Sequence, residues 1–150
     1  MECGNCTACC KLLNIQETDS KPGDYCKYCN PGVGCRIYNE RPECCKIFEC
    51  SWKQMENAGE ELRPDKCGVL FEKWSDTVMV GTTEGKLSDL ILCQIDFFKR
   101  EGISVLVIDH SKKIRTFFLA PGHTKEFVKI EINNSIKNNN KFQIKEYIET

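Results

Sequence analysis

The fold is decided by a helix followed by a strand in residues 86–108, which read KLSDLILCQIDFFKREGISVLVI. Apolar residues recur here at the three- and four-residue spacing of one helix face, which predicts a helix over 86–101. Five residues form that stripe: Leu87, Leu90, Ile91, Ile95 and Phe98. Gly102 suits the position just after a helix, because glycine adopts a left-handed backbone without steric cost. The continuous apolar run over 104–108 then predicts a buried strand.

Shorter apolar runs on either side extend this unit into a sheet. Residues 69–71 and 77–80 predict two strands joined by a Trp-Ser-Asp turn, and residues 114–119 predict a further strand after a polar turn. Residues 124–136 leave two alternatives open, because their apolar residues alternate as in a strand while the composition also suits a helix. These elements predict a small α/β subdomain over 68–150.

The apolar residues are unevenly divided along the chain. Counting Val, Ile, Leu, Met, Phe, Trp and Tyr, residues 1–67 contain 14 and residues 68–150 contain 32. Ten of the twelve cysteines lie in the first fifty residues, where the material for a hydrophobic core is missing. We therefore expect an α+β protein in which an irregular, metal-stabilised, cysteine-rich module over 1–67 packs on the α/β subdomain as one compact unit.

The cysteine-rich module is expected to consist of loops and single helical turns. A helix is predicted to begin near Thr7 and to carry Cys9 and Cys10, where the helix dipole favours thiolates in the first turn. Ser51 opens a capping-box pattern, which predicts a second helix ending near Leu62.

The cellular compartment decides how clustered cysteines are interpreted. The sequence contains no run of the roughly 18–20 consecutive apolar residues that a membrane span needs. Its start also lacks the basic and apolar regions of a secretory signal, so we expect a cytoplasmic protein. Because the cytosol keeps thiols reduced, the cysteine pattern favours a metal site over a disulfide framework.

The charge balance argues against nucleic acid as a partner. The formal net charge is −1, and thiolates bound to divalent ions would make the cysteine-rich module clearly acidic. Binding to a phosphate backbone needs a basic face instead. A metal ion is therefore the expected partner, with no nucleic acid and no membrane. A protein partner for the α/β half is an alternative.

The spacing of the first cysteines suits metal ligation. Cys-x-x-Cys lets two sulfurs approach one ion across a tight turn, and a tetrahedral zinc needs four ligands at about 2.3 Å. The opening run Cys3-x-x-Cys6-x-x-Cys9-Cys10 could fill one site alone. Because neighbouring thiols often point in different directions, we expect these sulfurs to be shared with later cysteines. All-sulfur sites suit both zinc and iron–sulfur clusters, so zinc is the expected cofactor and iron or an iron–sulfur cluster the alternative.

Three segments of the cysteine-rich module carry a resemblance to a known family. They read Cys3-x-x-Cys6-x-x-Cys9-Cys10, then Cys26-x-Tyr28, then Cys35-Arg36-Ile37-Tyr38-x-x-Arg41-Pro42-x-x-Cys45-Lys46-x-Phe48-x-Cys50. Together they resemble the CxxCxxCC family, whose members carry eight characteristic cysteines and are described as zinc- or iron-chelating proteins. The match covers about the first third of the chain and continues more loosely through residues 63–68.

The resemblance implies a set of eight thiolate ligands. These are Cys3, Cys6, Cys9, Cys10, Cys26, Cys35, Cys45 and Cys50. Cys29 and Cys44 depart from the family pattern. Each is either a substitute ligand or a thiol that binds no metal. A similar-looking flagellin lysine methylase implies a modification enzyme as an alternative function.

Four further residues have specific interpretations. Cys67 is either a ligand at a turn or a small residue buried beside Gly68. Cys93, on the 86–101 helix, is expected to lie in the hydrophobic core. Arg41 and Lys46 either lie on the surface or offset the negative charge of the thiolates and donate hydrogen bonds to sulfur.

No residue is assigned to catalysis. His110 and His123 lie in polar loops and are expected to be solvated, and the sequence has no nucleophile elbow, P-loop or Gly-x-Gly-x-x-Gly motif. The predicted function is a metal-binding protein that holds one or two zinc ions through clustered cysteine thiolates. The alternatives are an iron–sulfur-dependent enzyme that modifies a protein or peptide, and an adaptor in which zinc is a scaffold.

Overall fold

A computed structural model describes residues 5–13, 15–48, 50–55 and 58–139 as a mixed α/β structure with two sheets. Its helices are α1 Ala8–Leu12, α2 Glu43–Ile47, α3 Ser51–Gln54, α4 Pro64–Cys67, α5 Asp89–Arg100 and α6 Lys125–Asn139. Its strands are β1 Cys29–Asn30, β2 Gly34–Cys35, β3 Val69–Lys73, β4 Val78–Thr83, β5 Ser104–Asp109 and β6 Ile114–Phe118. In these described residues, no helix has both the length and the apolar character that crossing a membrane would require.

The larger sheet has four strands in the order β3-β4-β5-β6. Strands β4 and β5 are parallel and the two outer pairs are antiparallel. Parallel neighbours need a crossover connection, and α5 supplies it between β4 and β5. Every residue of β4 is buried, as expected for a central strand covered on both faces. The strands predicted over 69–71, 77–80, 104–108 and 114–119 are confirmed.

One helix covers each face of this sheet. The face under α5 is formed mainly by Val69, Phe71, Met79, Val105 and Val107, which contact Ile91, Ile95 and Phe98. The opposite face carries Val78, Val80, Leu106 and Ile108, which contact Val128, Ile132 and Ile136 of α6. Successive strand residues therefore alternate between the two helices, so the strands read as continuous apolar runs.

The helix predicted over 86–101 is confirmed as α5, with tighter ends. Ser88 caps it, since its hydroxyl accepts a hydrogen bond from the Ile91 N–H at 3.3 Å. Gly102 follows it with φ of 79°. The alternatives left open at 124–136 are decided in favour of a helix, in which Val128 and Ile132 are fully buried. Ile130, the residue that makes the pattern alternate, is 58% exposed.

Two predictions about helices are wrong. Cys93 is exposed rather than in the core, because the buried stripe of α5 runs through Ile91 and Ile95 and a residue midway between them points away. The helix predicted from Ser51 to near Leu62 is also too long, since α3 ends at Gln54 and a separate 3-10 turn spans Glu60–Leu62.

The cysteine-rich segment covers the outer strand β3. Its apolar residues Ala8, Leu12, Leu13, Ile15 and Trp52 form a buried cluster with Cys50 and with Leu70 of β3. The Ser51 hydroxyl also donates to the Met79 sulfur at 3.2 Å. The segment therefore has a small apolar cluster of its own, and this cluster is completed by the sheet. The boundary between 67 and 68 stays a prediction.

Candidate metal centre

A cavity of about 210 Å³ lies inside the cysteine-rich segment. Eight cysteines line it: Cys6, Cys9, Cys10, Cys26, Cys35, Cys44, Cys45 and Cys50. We call this space the cysteine cavity. Seven of the eight predicted ligands therefore surround one space, and the remaining one, Cys3, lies outside the described residues. The helix predicted near Thr7 is confirmed as α1 and carries Cys9 and Cys10.

Backbone hydrogen bonds hold α1 against the hairpin of β1 and β2. The Cys26 N–H donates to the Cys10 carbonyl at 2.9 Å, and the Cys29 N–H donates to the Cys26 carbonyl at 2.8 Å. The Gly32 N–H, in the hairpin turn, donates to the Thr7 hydroxyl at 3.1 Å. In the hairpin, Cys29 is paired directly with Cys35. These bonds bring residues far apart in sequence next to α1.

Three cysteines of this region interact pairwise through their side chains. Cys10 interacts with both Cys9 and Cys29, and toward Cys9 its thiol acts as a hydrogen-bond donor. This bond lowers the pKa of Cys9 to about 7, assisted by backbone N–H groups and by the positive charge of Lys53. The same bond to Cys9, together with burial, raises the pKa of Cys10. The group therefore combines a thiolate with thiols that would be deprotonated by a bound cation.

Cys26 is surrounded by donors that stabilise a thiolate. Burial acts to raise its pKa, but the hydroxyls of Thr18 and Ser20 and the backbone N–H of Tyr28 favour the thiolate and outweigh burial. The pKa of Cys26 therefore lies below its ordinary value. Donors of this kind orient a thiolate ligand and compensate its charge.

The adjacent residues Cys44 and Cys45 have different surroundings. The Cys44 thiol donates to the Glu17 carboxylate at 3.1 Å, and burial together with this bond raises the pKa of Cys44 to about 12. The pKa of Cys45 is also raised, first by burial and also by the nearby charges of Cys9 and Cys26. Cys45 thus adjoins the α1–hairpin group, while Cys44 is engaged by a carboxylate.

The described cysteines are free thiols. Within the described part of the chain, no three Cys, His, Asp or Glu side chains converge closely enough to hold a metal ion. The donor set suits a soft or borderline ion, but the sulfurs would have to move closer together to coordinate it.

Cations and aromatic rings complete the wall of the cysteine cavity. Arg41, Lys46 and Lys53 all line it. The Arg41 guanidinium lies 3.9 Å from the centre of the Tyr38 ring and donates to the Tyr38 carbonyl. The sequence pattern points to Arg41 and Lys46 but not to Lys53, whose position next to Cys9 depends on how α3 packs on α1.

Three residues discussed from the sequence lie away from this cavity. The Cys67 thiol donates to the carbonyls of Leu62 and Val69 and packs near α5 as a partly buried residue. The prediction of solvated histidines is wrong. The side chain of His110 is 4% exposed, and His123 Nδ1 lies 2.6 Å from the Ser104 hydroxyl. Both loops fold back onto the sheet. The polar residues next to the two histidines in sequence do not predict this burial.

Comparison with known proteins adds no assignment. No protein-family model, no curated protein and no solved structure matches this chain significantly. The resemblance to the CxxCxxCC family therefore rests on the quoted cysteine pattern.

Proposed function

We propose that this chain is a metal-binding protein that holds one or two zinc ions through clustered cysteine thiolates. The observation that carries the proposal is the cysteine cavity, in which eight cysteine side chains from α1, the hairpin, α2 and the loops next to them surround one space. Thiolate sulfurs are the preferred ligands of zinc in closed structural sites. A bound ion would supply positive charge and fixed tetrahedral geometry in this space.

The protein's own residues prepare the cavity for a cation. Cys9 and Cys26 have lowered pKa values because hydrogen bonds favour their thiolates. Lys53 compensates charge near Cys9, and Arg41 and Lys46 lie on the same wall. These features favour the thiolate forms of Cys9 and Cys26, which lowers the free-energy cost of ligand deprotonation.

The structural consequence would be to join several short elements of the cysteine-rich segment. Helices α1, α2 and α3 have only four or five residues each, and isolated helices of that length are unstable in water. Zinc contributes roughly 10–16 kcal/mol to the folding of finger peptides. An ion bound here would therefore stabilise the cysteine-rich segment much more than the sheet.

Metal quantitation after anaerobic isolation tests this proposal. We expect one or two zinc ions per chain, and no loss in the control Cys93→Ser, because Cys93 is exposed on α5. Hydrogen exchange after chelation should show lost protection in the cysteine-rich segment and retained protection in β4 and β5. A chain that binds no metal, or equal loss of protection in both parts, would contradict the proposal.

The size of the cavity favours a second candidate, an iron–sulfur-dependent enzyme that modifies a protein or peptide. A volume of about 210 Å³ is several times the roughly 30 Å³ share of a water molecule, which leaves room for a cluster or a substrate group. Cations on the wall would offset the negative charge of a thiolate-bound cluster. A brown protein containing iron and inorganic sulfide would establish this candidate in place of zinc.

A further inference from the structure

Cys29 and Cys35 lie directly opposite each other in the hairpin of β1 and β2. At the neighbouring position along the hairpin, the Arg36 N–H donates to the Tyr28 carbonyl at 2.8 Å. Because hydrogen-bonded and non-hydrogen-bonded pairs alternate along antiparallel strands, Cys29 and Cys35 form a non-hydrogen-bonded pair. The Cα atoms of such a pair are about 4.5 Å apart, and its side chains lie on one face of the hairpin. The strand pairing therefore brings these two thiols together.

The spacing of this pair suits a disulfide bond. Residues joined by a disulfide have Cα atoms about 4.4–6.8 Å apart, and the Cys29–Cys35 pair lies at the short end of that range. Adjacent cysteines fall below the range, because consecutive Cα atoms are about 3.8 Å apart. This disfavours the pairs Cys9–Cys10 in α1 and Cys44–Cys45 in α2. A bond across the hairpin, in contrast, joins residues whose strands are already paired.

The two thiols of the pair differ in their access to solvent. Cys29 is 9% exposed, whereas Cys35 is half-buried. Of these two described residues, only Cys35 lines the cysteine cavity. A reagent in solution would therefore reach Cys35 first, and Cys29 would then react with it from the opposite strand. The resulting bond would tie Cys35 to a residue outside the wall of the cavity.

We propose that Cys29 and Cys35 form a reversible thiol oxidation site, at which a small-molecule disulfide such as oxidised glutathione links them across the hairpin. The Cys35 thiolate attacks one sulfur of the reagent, which forms a mixed disulfide and releases one glutathione. The Cys29 thiolate then attacks the Cys35 sulfur and releases the second glutathione. Two protein thiols thus lose two electrons and two protons, and one molecule of oxidised glutathione gains them to become two thiols.

Oxidation at this site would regulate the proposed metal centre. The thiolate is the form of cysteine that binds metal, so the linked chain loses Cys35 as a ligand. This consequence rests on the proposed function, whereas the bond itself does not require a metal. We expect the reduced chain to bind more zinc than the linked chain, and we expect bound zinc to protect Cys35 from the reagent.

Peptide mapping of the full chain tests the proposal. Reduced, metal-free protein is incubated with oxidised glutathione, the remaining thiols are alkylated, and the chain is digested with trypsin. Cleavage after Lys27 and Arg36 releases peptide 28–36, in which Cys29 and Cys35 are the two cysteines. We expect this peptide to escape alkylation and to be lighter than its reduced form by two hydrogen atoms. Dithiothreitol should restore both thiols.

Variants and a denatured sample connect the bond to the hairpin. Cys44→Ser is the matched control and should form the bond like the wild type, whereas Cys29→Ser should stop at the mixed disulfide of Cys35 with glutathione. In urea, which removes the strand pairing, the yield of the internally linked peptide 28–36 should fall severalfold. An equal yield in urea, or a bond from Cys29 to any other cysteine, would overturn the proposal.

Zinc quantitation separates this proposal from the proposed function. Linked peptide 28–36 from a chain that binds no zinc in its reduced form would contradict the proposed function alone. A chain that binds zinc, but whose Cys29 and Cys35 are both alkylated after treatment with oxidised glutathione, would contradict the oxidation site alone. Equal zinc binding by the reduced and the linked chain would contradict the regulation of the metal centre.

Discussion

Replacing Gly81 with alanine should destabilise the sheet through one defined contact. Gly81 lies in β4 directly opposite Phe71 of β3. A Cβ atom at Gly81 would lie 2.8 Å from Phe71 Cε1, 3.0 Å from Cδ1 and 3.2 Å from Val69 Cγ1. The Phe71 ring cannot retreat freely, because it stands edge-on to Phe98 with 5.6 Å between ring centres. The added methyl group would therefore displace the layer between β3 and α5.

The magnitude follows from two opposing contributions. Inserting a methyl group into a packed core typically costs about 1–3 kcal/mol. Replacing a glycine in a strand with alanine stabilises the folded state by about 0.5–1 kcal/mol, because alanine loses less conformational entropy on folding. The expected loss for Gly81→Ala therefore lies between about 0 and 2.5 kcal/mol, with a middle value of about 1 kcal/mol. For a chain of this length, each kcal/mol corresponds to about 2–4 °C in the midpoint of thermal unfolding.

Urea unfolding at a fixed metal content measures this loss. Gly85→Ala is the matched control, because a Cβ atom added at Gly85 would meet no other atom within 4 Å and should leave stability nearly unchanged. In a Phe71→Leu background the contact is relieved, so the cost of Gly81→Ala should shrink by about 1 kcal/mol. A cost that is the same in both backgrounds would refute the proposed contact between position 81 and the Phe71 ring.

Three further predictions concern other parts of the fold. Ile132→Ala should lower the free energy of unfolding by about 2–5 kcal/mol, measured by thermal unfolding, because Ile132 is fully buried between α6 and the sheet. A decrease below about 1 kcal/mol would mean that α6 does not pack on the sheet in this way. Ser88→Ala should cost about 0.5–2 kcal/mol by removing the cap of α5, whereas Ser88→Asp should be nearly neutral, and equal losses in both would argue against capping. Burial lowers the pKa of His110 against the opposing charges of Glu84 and Asp109, so the unfolded chain takes up a proton first. Above pH about 6.5 the ring is neutral in both the folded and the unfolded chain, so the metal-free protein should keep its full stability there. As the pH falls from this value toward the folded-state pKa, the free energy of unfolding should fall by at most about 1.4 kcal/mol per pH unit, the limit for one proton. His110→Gln should flatten this slope, and an unchanged slope would mean that other groups cause it.

The elements of the sheet can be predicted from sequence because their signals are local. The stripe through Ile91, Ile95 and Phe98 defines α5 within a single stretch, and the run over 104–108 defines β5 in the same way. The apolar residues at 124–136 are ambiguous because the two-residue period of a strand and the 3.6-residue period of a helix both fit so short a segment. Only the packing of Val128 and Ile132 on the sheet, with Ile130 left exposed, decides for the helix.

The errors arise where a side chain's environment depends on distant parts of the chain. Residue type and helical position predict Cys93 in the core, but the sheet lies under the other face of α5. Polar neighbours predict His110 in solvent, yet Gly23 of the cysteine-rich segment packs against its ring. Sequence patterns describe each element separately and contain no information on which other segment will cover it.

Local periodicity and composition are sufficient to predict the mixed α/β class, the positions of α5 and the central strands, and the concentration of thiols in a region poor in apolar residues. Which thiols meet depends on the tertiary structure. Cys10 interacts with Cys29 because hydrogen bonds from the Cys26 and Gly32 N–H groups hold the hairpin segment next to α1, whereas the Cys44 thiol donates to Glu17. The physical reason is that sulfur–sulfur contacts depend on how the chain folds back between residues far apart in sequence, and cysteine spacing specifies only neighbours within one turn.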